Sequence, residues 1–421
     1  MSGIIGELSN RRDCGFPSPR VLPVPNPPVF SPSADGPSRS ANAHPVPDQV
    51  EHQSPEGGSD ERPPADLKFS TTEPFFVELR RRVDSYFETA GKRRDCLSMY
   101  FKSAVIMGWF FGAYFFLLLV ASTGWQVLLG AILLGLAMAA IGFNIQHDGG
   151  HRAYSRHPWV NRLAAMSLDL LGGSSFVWAR KHNSVHHTYA NITGHDDDID
   201  LGPIGRLSPH QRRFRFHRLQ HWYLWALYGF VPSKWQFYDD FRDLIRGRIA
   251  SSHLPAMRTS DWIVFLAGKL GFVGLAFILP LSLHAWTSVL FAYAVASFVQ
   301  GVVLGVVFQL AHCVEETQFP MPDPGTKKMT TDWAVHQLVT TVDFARDNRL
   351  LSWYIGGLNF QIEHHLFPQV CHVHYPGLSK VVEQTCAEHG VPYFAHRSLR
   401  AGIASHYRWL RRMGREDSPA I

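Results

Sequence analysis

Two pairs of long apolar stretches constrain this chain more than any other feature. One pair covers residues 103–121 and 125–146, joined only by Ser122-Thr123-Gly124. The other covers 262–283 and 285–311, again with an uncharged link. Each is close to the ~20 residues that cross a bilayer as a helix. The pattern predicts an all-α integral membrane protein with four transmembrane helices in two hairpins. Lys269 is the one charged side chain inside the four stretches, near enough to an end to snorkel or to face the bundle. The overall hydrophobic content of 46% conceals this concentration.

Charge sets the expected orientation. Neither hairpin tip carries Lys or Arg, whereas residues 150–261 carry 15 and residues 312–421 carry 11. Positive residues favour the cytoplasmic side, so both termini and the middle loop are expected there. A net charge of +5 gives no reason to expect nucleic-acid binding. The five cysteines are odd in number and form no CxxC pair, which argues against a disulfide scaffold or a Cys-based zinc ribbon.

The flanks read differently. Residues 1–66 hold 13 of the 27 prolines and are predicted to be disordered, leaving 67–421 as the folded domain. They contain no apolar core of the kind a cleaved signal peptide needs. Beyond them, Thr72 is a candidate cap with Pro74 in the first helical turn. Phe75, Phe76, Leu79, Val83, Tyr86 and Phe87 then share one face, which suits either a membrane surface or a protein core. Residues 161–178, apolar but interrupted by Asp169, are expected to form a buried or interfacial helix and not a span.

Histidine carries the chemistry. Four groups stand out: His147-Asp148-Gly149-Gly150-His151 at the end of the second stretch, and His182-Asn183-Ser184-Val185-His186-His187 in the basic loop. The others are His312 at the end of the fourth stretch and Gln361-Ile362-Glu363-His364-His365 near the C-terminus. Residues four apart share one side of a helix, so His147 and His151 are expected to point at one spot, as are His182 and His186. His187 lies about 100° further round, enough to reach a second metal. With four spans, all four groups fall at one membrane face. Eight imidazoles are more than one metal needs, and imidazole suits Fe, Zn and Cu. Two metal ions are the natural reading.

Taken in this order, HDGGH, HNSVHH and QIEHH resemble the three histidine boxes of the membrane-bound fatty acid desaturase family. The resemblance covers about Phe75 to His406, and the tail from Gln361 to Pro376 looks like the bacterial acyl-lipid and linoleoyl-CoA branch. A Gln opening the third box marks the front-end enzymes, which place a double bond between an existing one and the carboxyl end. The resemblance implies a helical cytoplasmic cap holding a non-haem di-iron centre, O2 as co-substrate, and a fatty acyl substrate carried on lipid, CoA or carrier protein. It implies His147, His151, His182, His186, His187, His312, His364 and His365 as iron ligands. Gln361 takes the place of a further histidine, with an expected water-holding or supporting role. The His-Pro-Gly-Gly motif of a fused cytochrome b5 is missing, since His44 is followed by Pro45-Val46-Pro47. Electrons are therefore expected from a separate donor of ferredoxin or cytochrome b5 type.

Imidazole ligands need partners that fix their tautomers. Asp148, Asp196, Asp197, Asp198, Glu315, Glu316 and Glu363 are the candidates. Residues flanking the boxes, among them Trp178, Arg180, Lys181, Asn191, Thr340, Thr341 and Asn359, are candidates for an acyl channel. Arg180 and Lys181 suit either a head group or positive-inside anchoring. His195, His336, His372 and His374 are expected to make ordinary hydrogen bonds. A hydroxylase or ketolase on the same histidine scaffold is the nearest alternative. A bis-His haem cytochrome needs single histidines facing each other within the bilayer, and a metal transporter needs ligands near its midplane. ExxH, the pair used by carboxylate-bridged di-iron bundles, occurs nowhere in the chain.

Overall fold

The computed structural model describes residues 67–70 and 74–416. The segment 1–66, expected to be disordered, and the cap candidate Thr72 lie outside the described residues. Among the described residues four helices are long and apolar enough to cross a membrane: Ser98–Leu119, Gly124–Gly150, Thr259–Leu283 and Trp286–His312, called here the first to fourth spans. The first begins five residues before the expected start. The cause is Lys102, which is buried against His372 at 2.9 Å and so does not end the helix.

The spans present apolar surface outward. Leu119, Leu270 and Ile278 are exposed, and Trp125 and Trp286 stand beside the two links. Such aromatic residues suit a membrane–water boundary. Inside, the second span packs on the fourth at very close range. A Cβ on Gly135 would sit 2.4 Å from the Ala296 carbonyl oxygen.

The N-terminal amphipathic helix, Pro74–Thr89, buries Phe75, Leu79, Val83 and Phe87. Its partners are protein residues: Leu338, Leu366, Leu378 and Val382 lie in the same core cluster. The protein-core alternative for this face is the one realised. Residues 161–178 do not form one helix. They fall into the helices Pro158–Ala165, Ser167–Leu170 and Ser175–Trp178. Gly172, at φ +86°, breaks the path, and a Cβ there would meet the Phe272 ring at 2.6 Å. Strand structure among the described residues is slight. Arg248–Ile249 pairs antiparallel with Ser252–His253, and Asp343–Phe344 pairs parallel with Ala395–His396. The second pair matters because Asp343 Oδ1 accepts the Ile362 backbone N–H at 3.0 Å, which fixes the start of the Gln361–Leu366 helix.

Candidate metal centre

Each histidine group is presented by a short, locally specified turn. Before His147 the second span widens into a π-turn over Gly142–Gln146. His147 and His151 then close to 4.7 Å between ring centres. The two glycines between them are steric necessities. A Cβ on Gly149 would meet Ala164 Cβ at 2.6 Å, and one on Gly150 would meet the Trp178 ring at 2.2 Å.

The second group lies on a π-helix, Ala179–His186. In that geometry hydrogen bonds run i to i+5, so residues five apart come into register. His182 Nε2 and His187 Nε2 are accordingly 3.3 Å apart. His187 is thereby added to the pairing expected from α-helical spacing, since His182 and His186 also come together, beside Asp198. His182 joins His147, His151 and His364, whereas His186 joins His312 and His365. His187 stands between these groups and approaches both His364 and His365. All eight histidines expected at the site are brought together, and all are buried.

The nitrogens are arranged for a cation. His186 Nδ1 donates to Asp196, at 3.1 and 3.2 Å to its two oxygens. His312 Nδ1 donates to the Thr340 carbonyl at 3.2 Å, and His365 Nδ1 donates to Gln337 Oε1 at 2.9 Å. His364 Nδ1 lies 3.2 Å from the Tyr375 hydroxyl. In every case the opposite nitrogen, Nε2, is buried without a hydrogen-bond partner, as are His151 Nε2 and His187 Nδ1. Six bare nitrogens converging in a buried space are costly unless something binds them. Eight imidazoles with no thiolate among them, and with Asp198 beside His182 and His186, fit one or more borderline transition-metal ions.

Protonation agrees. Burial, reinforced by the neighbouring imidazoles, holds His151, His182, His187, His364 and His365 well below the usual histidine value. They are neutral, the form that binds metal. Burial also pulls His186 down, but the Asp196 carboxylate outweighs it and leaves that group above its usual value.

Of the seven acids singled out as partners, Asp196 alone hydrogen-bonds a box histidine. Asp197 and Asp198 pair with Lys181 at 2.9 and 3.1 Å, and Asp198 reaches within 3.7 Å of His186. Asp148 holds His372 at 2.9 Å. Glu315 and Glu316 pair with Arg408 and His396. Glu363 accepts from Tyr393 at 3.0 Å. Gln337 and Tyr375 are partners that sequence reasoning missed. Gln337 lies outside the boxes and had no spacing signal, whereas Tyr375 sat in plain view in the His372–Tyr375 run. His195 bonds Ser251 and His336 bonds the Ala190 carbonyl, both apart from the cluster.

A cavity of about 780 Å³ opens onto this site. His147, His182, His364 and Gln361 line it, as do the apolar Phe143, Leu171, Val177, Leu304 and Phe308 and charged residues that include Asp197, Lys234, Arg242 and Arg248. Lys181 and Trp178 line it as expected. Asn191, Thr340, Thr341 and Asn359 do not. Asn191, in the left-handed region at φ +61°, instead ties the His312, Gln318 and Thr340 carbonyls together through its amide.

Comparison with known proteins agrees with this site. The fatty acid desaturase family profile matches residues 123–397. The sn-1 linoleoyl-lipid 6-desaturase of Synechocystis sp. is 40% identical over 83% of this chain and 98% of its own length. The enzyme of the same name from Arthrospira platensis is 38% identical over 82% of this chain and 94% of its own. An acyl-lipid (8-3)-desaturase of Physcomitrium patens is 35% identical over 86% and 76% respectively. The match spans the second span, every histidine group and the cavity walls, and the chain belongs to the fatty acid desaturase family, as an enzyme that desaturates fatty acyl chains.

Proposed function

We propose that this protein is a front-end acyl-lipid desaturase that introduces a cis double bond at position 6 of a linoleoyl chain, using O2 and two iron ions. The position and the lipid carrier rest on the names of the two cyanobacterial relatives. The iron pair rests on the six bare, buried nitrogens, which are the single observation that carries the reading. His147, His151, His182 and His364 would hold one ion, and His186, His312 and His365 the other, with His187 between them. A separate ferredoxin or cytochrome b5 type donor supplies electrons. The four spans form two hairpins, with both termini and the histidines on the cytoplasmic side, in line with the distribution of Lys and Arg.

The overall change is –CH2–CH2– + O2 + 2 e⁻ + 2 H⁺ → –CH=CH– + 2 H2O. Iron supplies, when bound, the oxidising power that no side-chain acid or base has toward an unactivated CH2. The chain's residues do the rest. Asp196, Gln337, Tyr375 and the Thr340 carbonyl hold the Nδ1 atoms, so that the Nε2 lone pairs face inward. The apolar part of the cavity wall holds the acyl chain against His147, His182 and His364 and fixes which carbons lie near the nitrogens. Gln361, buried beside the histidines, would offer its amide to a water.

The test is expression of the full chain in a host with a defined fatty-acid pool supplied with linoleate. Mass spectrometry should locate a new double bond at position 6, and His186→Ala should abolish it. A product gaining one oxygen would replace the reading with a hydroxylase. New unsaturation surviving in the variant would remove the ligand assignment.

A further inference from the structure

Positive charge gathers at a second place, away from the metal centre. Arg212, Arg215 and Arg218 lie just before the helix Gln220–Leu227, and Arg411, Arg412 and Arg415 lie at the end of the helix Leu399–Met413. All six are exposed. The two sets form one surface. A Cβ on Gly414 would sit 2.1 Å from the His217 carbonyl oxygen, and Trp222 meets Tyr407 at 5.4 Å between ring centres. Burial, and then the Arg415 and Arg411 guanidiniums, hold His221 between them below its usual value. Arg412 pairs with Glu416 at 3.4 Å, but among the described residues the other five arginines have no carboxylate partner. Unpaired like charges on one surface repel each other and favour an anionic partner.

Packing fixes the level of this surface along the spans. Tyr228 lies against Gly301 and Gly305 of the fourth span, where an added Cβ would sit 2.5 and 2.7 Å from it. Phe230 meets Phe298 at 6.1 Å between ring centres, and Ser233 Oγ meets Ser297 Oγ at 2.8 Å. Later residues of the segment thus meet earlier residues of the span, so the two run antiparallel. The arginines upstream of Tyr228 therefore lie toward the His312 end. The helix Leu399–Met413 is tied to that same end, since His406 Nδ1 donates to the Cys313 carbonyl at 2.6 Å and its Nε2 accepts from the Tyr228 hydroxyl at 2.9 Å. Leu219, Trp222, Ala226 and Phe230, three or four residues apart, are all exposed and lead from the arginines down to the depth of Phe298. Cations at one end and an exposed apolar stripe below them are the make-up of an element that lies in a membrane boundary.

We infer that this surface binds the phosphate head group of anionic membrane lipids at the histidine end of the spans, with Leu219, Trp222 and Phe230 against the acyl layer. Guanidinium groups suit phosphate because their paired donors match its oxygens. A lipid is the occupant because the apolar stripe continues to bilayer depth, which a soluble acidic protein does not reach. The inference rests on the four helices crossing a bilayer and is independent of which acyl chain is desaturated.

The experiment titrates the full chain in detergent with phosphatidylglycerol or phosphatidylcholine of identical acyl chains and counts bound lipid by native mass spectrometry. Each basic residue near an anionic surface favours binding about fivefold, so Arg411→Gln with Arg415→Gln should weaken phosphatidylglycerol binding about 25-fold and leave phosphatidylcholine unchanged. Arg411→Lys with Arg415→Lys keeps the charge and should retain most of the preference. Arg397→Gln with Arg400→Gln, at the other end of the same helix, should keep the parental preference. Equal affinity of the parental protein for the two lipids overturns the proposal, as does a parental preference in the Arg411→Gln, Arg415→Gln protein. If that protein does not accumulate, Arg215→Gln with Arg218→Gln takes its place, with the same expected loss and the same refuting result. Displacement of phosphatidylglycerol by millimolar inorganic phosphate would make this a site for free phosphate. Loss of binding to an acidic carrier protein, with the lipid preference intact, would make it a protein-docking face. Either result overturns the lipid assignment.

Discussion

Asp196 is the most informative single position for the metal reading. Its side chain is fully buried, accepts His186 Nδ1, and also accepts the backbone N–H groups of Asn191 at 2.9 Å and Asp198 at 3.0 Å. Burial pushes this carboxyl up, but His186 beside it and these hydrogen bonds leave it below the usual aspartate value, so it is ionised. Asp196→Asn keeps the volume and removes the charge. The amide NH2 must then face either the Asn191 N–H, the Asp198 N–H or His186 Nδ1–H, leaving a buried donor unpaired at a cost of about 1–3 kcal/mol. Loss of the carboxylate also makes His186 a weaker ligand. Removing such a supporting group typically lowers metal affinity or activity about 10–100-fold. That factor corresponds to about 1.4–2.7 kcal/mol. The assay is competition against a calibrated chelator on detergent-purified protein, with acyl product measured in parallel. Asp198→Asn is the comparison, since Asp198 mainly pairs with Lys181, and it should lose less. Equal iron affinity and product yield in the Asp196→Asn and parental proteins would refute the reasoning.

Further outcomes are expected elsewhere. Lys269→Met leaves Asp240 buried without its 2.7 Å partner and should destabilise the protein by about 3–5 kcal/mol, read as a lower unfolding midpoint; adding Asp240→Asn should recover part of it. Gly135→Leu forces a side chain into the Ala296 carbonyl, and overpacking of about 1–3 kcal/mol should reduce the yield of folded protein in detergent. Burial holds His336 and His406 down at about 4, below their unfolded value of 6.5. The unfolded chain takes up those protons first, so stability is intact above about pH 6.5 and falls as pH drops toward 4, by about 3 kcal/mol per residue. Unfolding midpoints measured across that range should decline less steeply in His406→Gln than in the parent.

The spans were legible because hydropathy over some twenty residues is an additive property, needing no knowledge of partners. The face of Pro74–Thr89 was legible for a similar reason, since Phe75, Leu79, Val83 and Phe87 repeat at helical spacing. The histidine set was also readable, as were the approaches of His147 to His151 and of His182 to His186, but not that of His182 to His187. Spacing arguments assume an α-helix, and the widened turn at Ala179–His186 adds a five-residue relation to the four-residue one. Nothing in the residue types there announces that change. The partners of the imidazoles were hard to foresee for another reason. Gln337 and the Thr340 carbonyl come from a segment far from the boxes in sequence, and only tertiary packing brings them near. Acidic residues drew attention by charge, yet five of the seven serve ion pairs or hydrogen bonds elsewhere, Asp198 stays at 3.7 Å from His186, and a neutral amide and a hydroxyl do the work expected of carboxylates.

His364 groups with His147, His151 and His182, its neighbour His365 groups with His186 and His312, and both also meet His187. Consecutive Cα atoms are held about 3.8 Å apart by bonded geometry alone. A bonded link of this length therefore joins the two histidine groups at His364–His365.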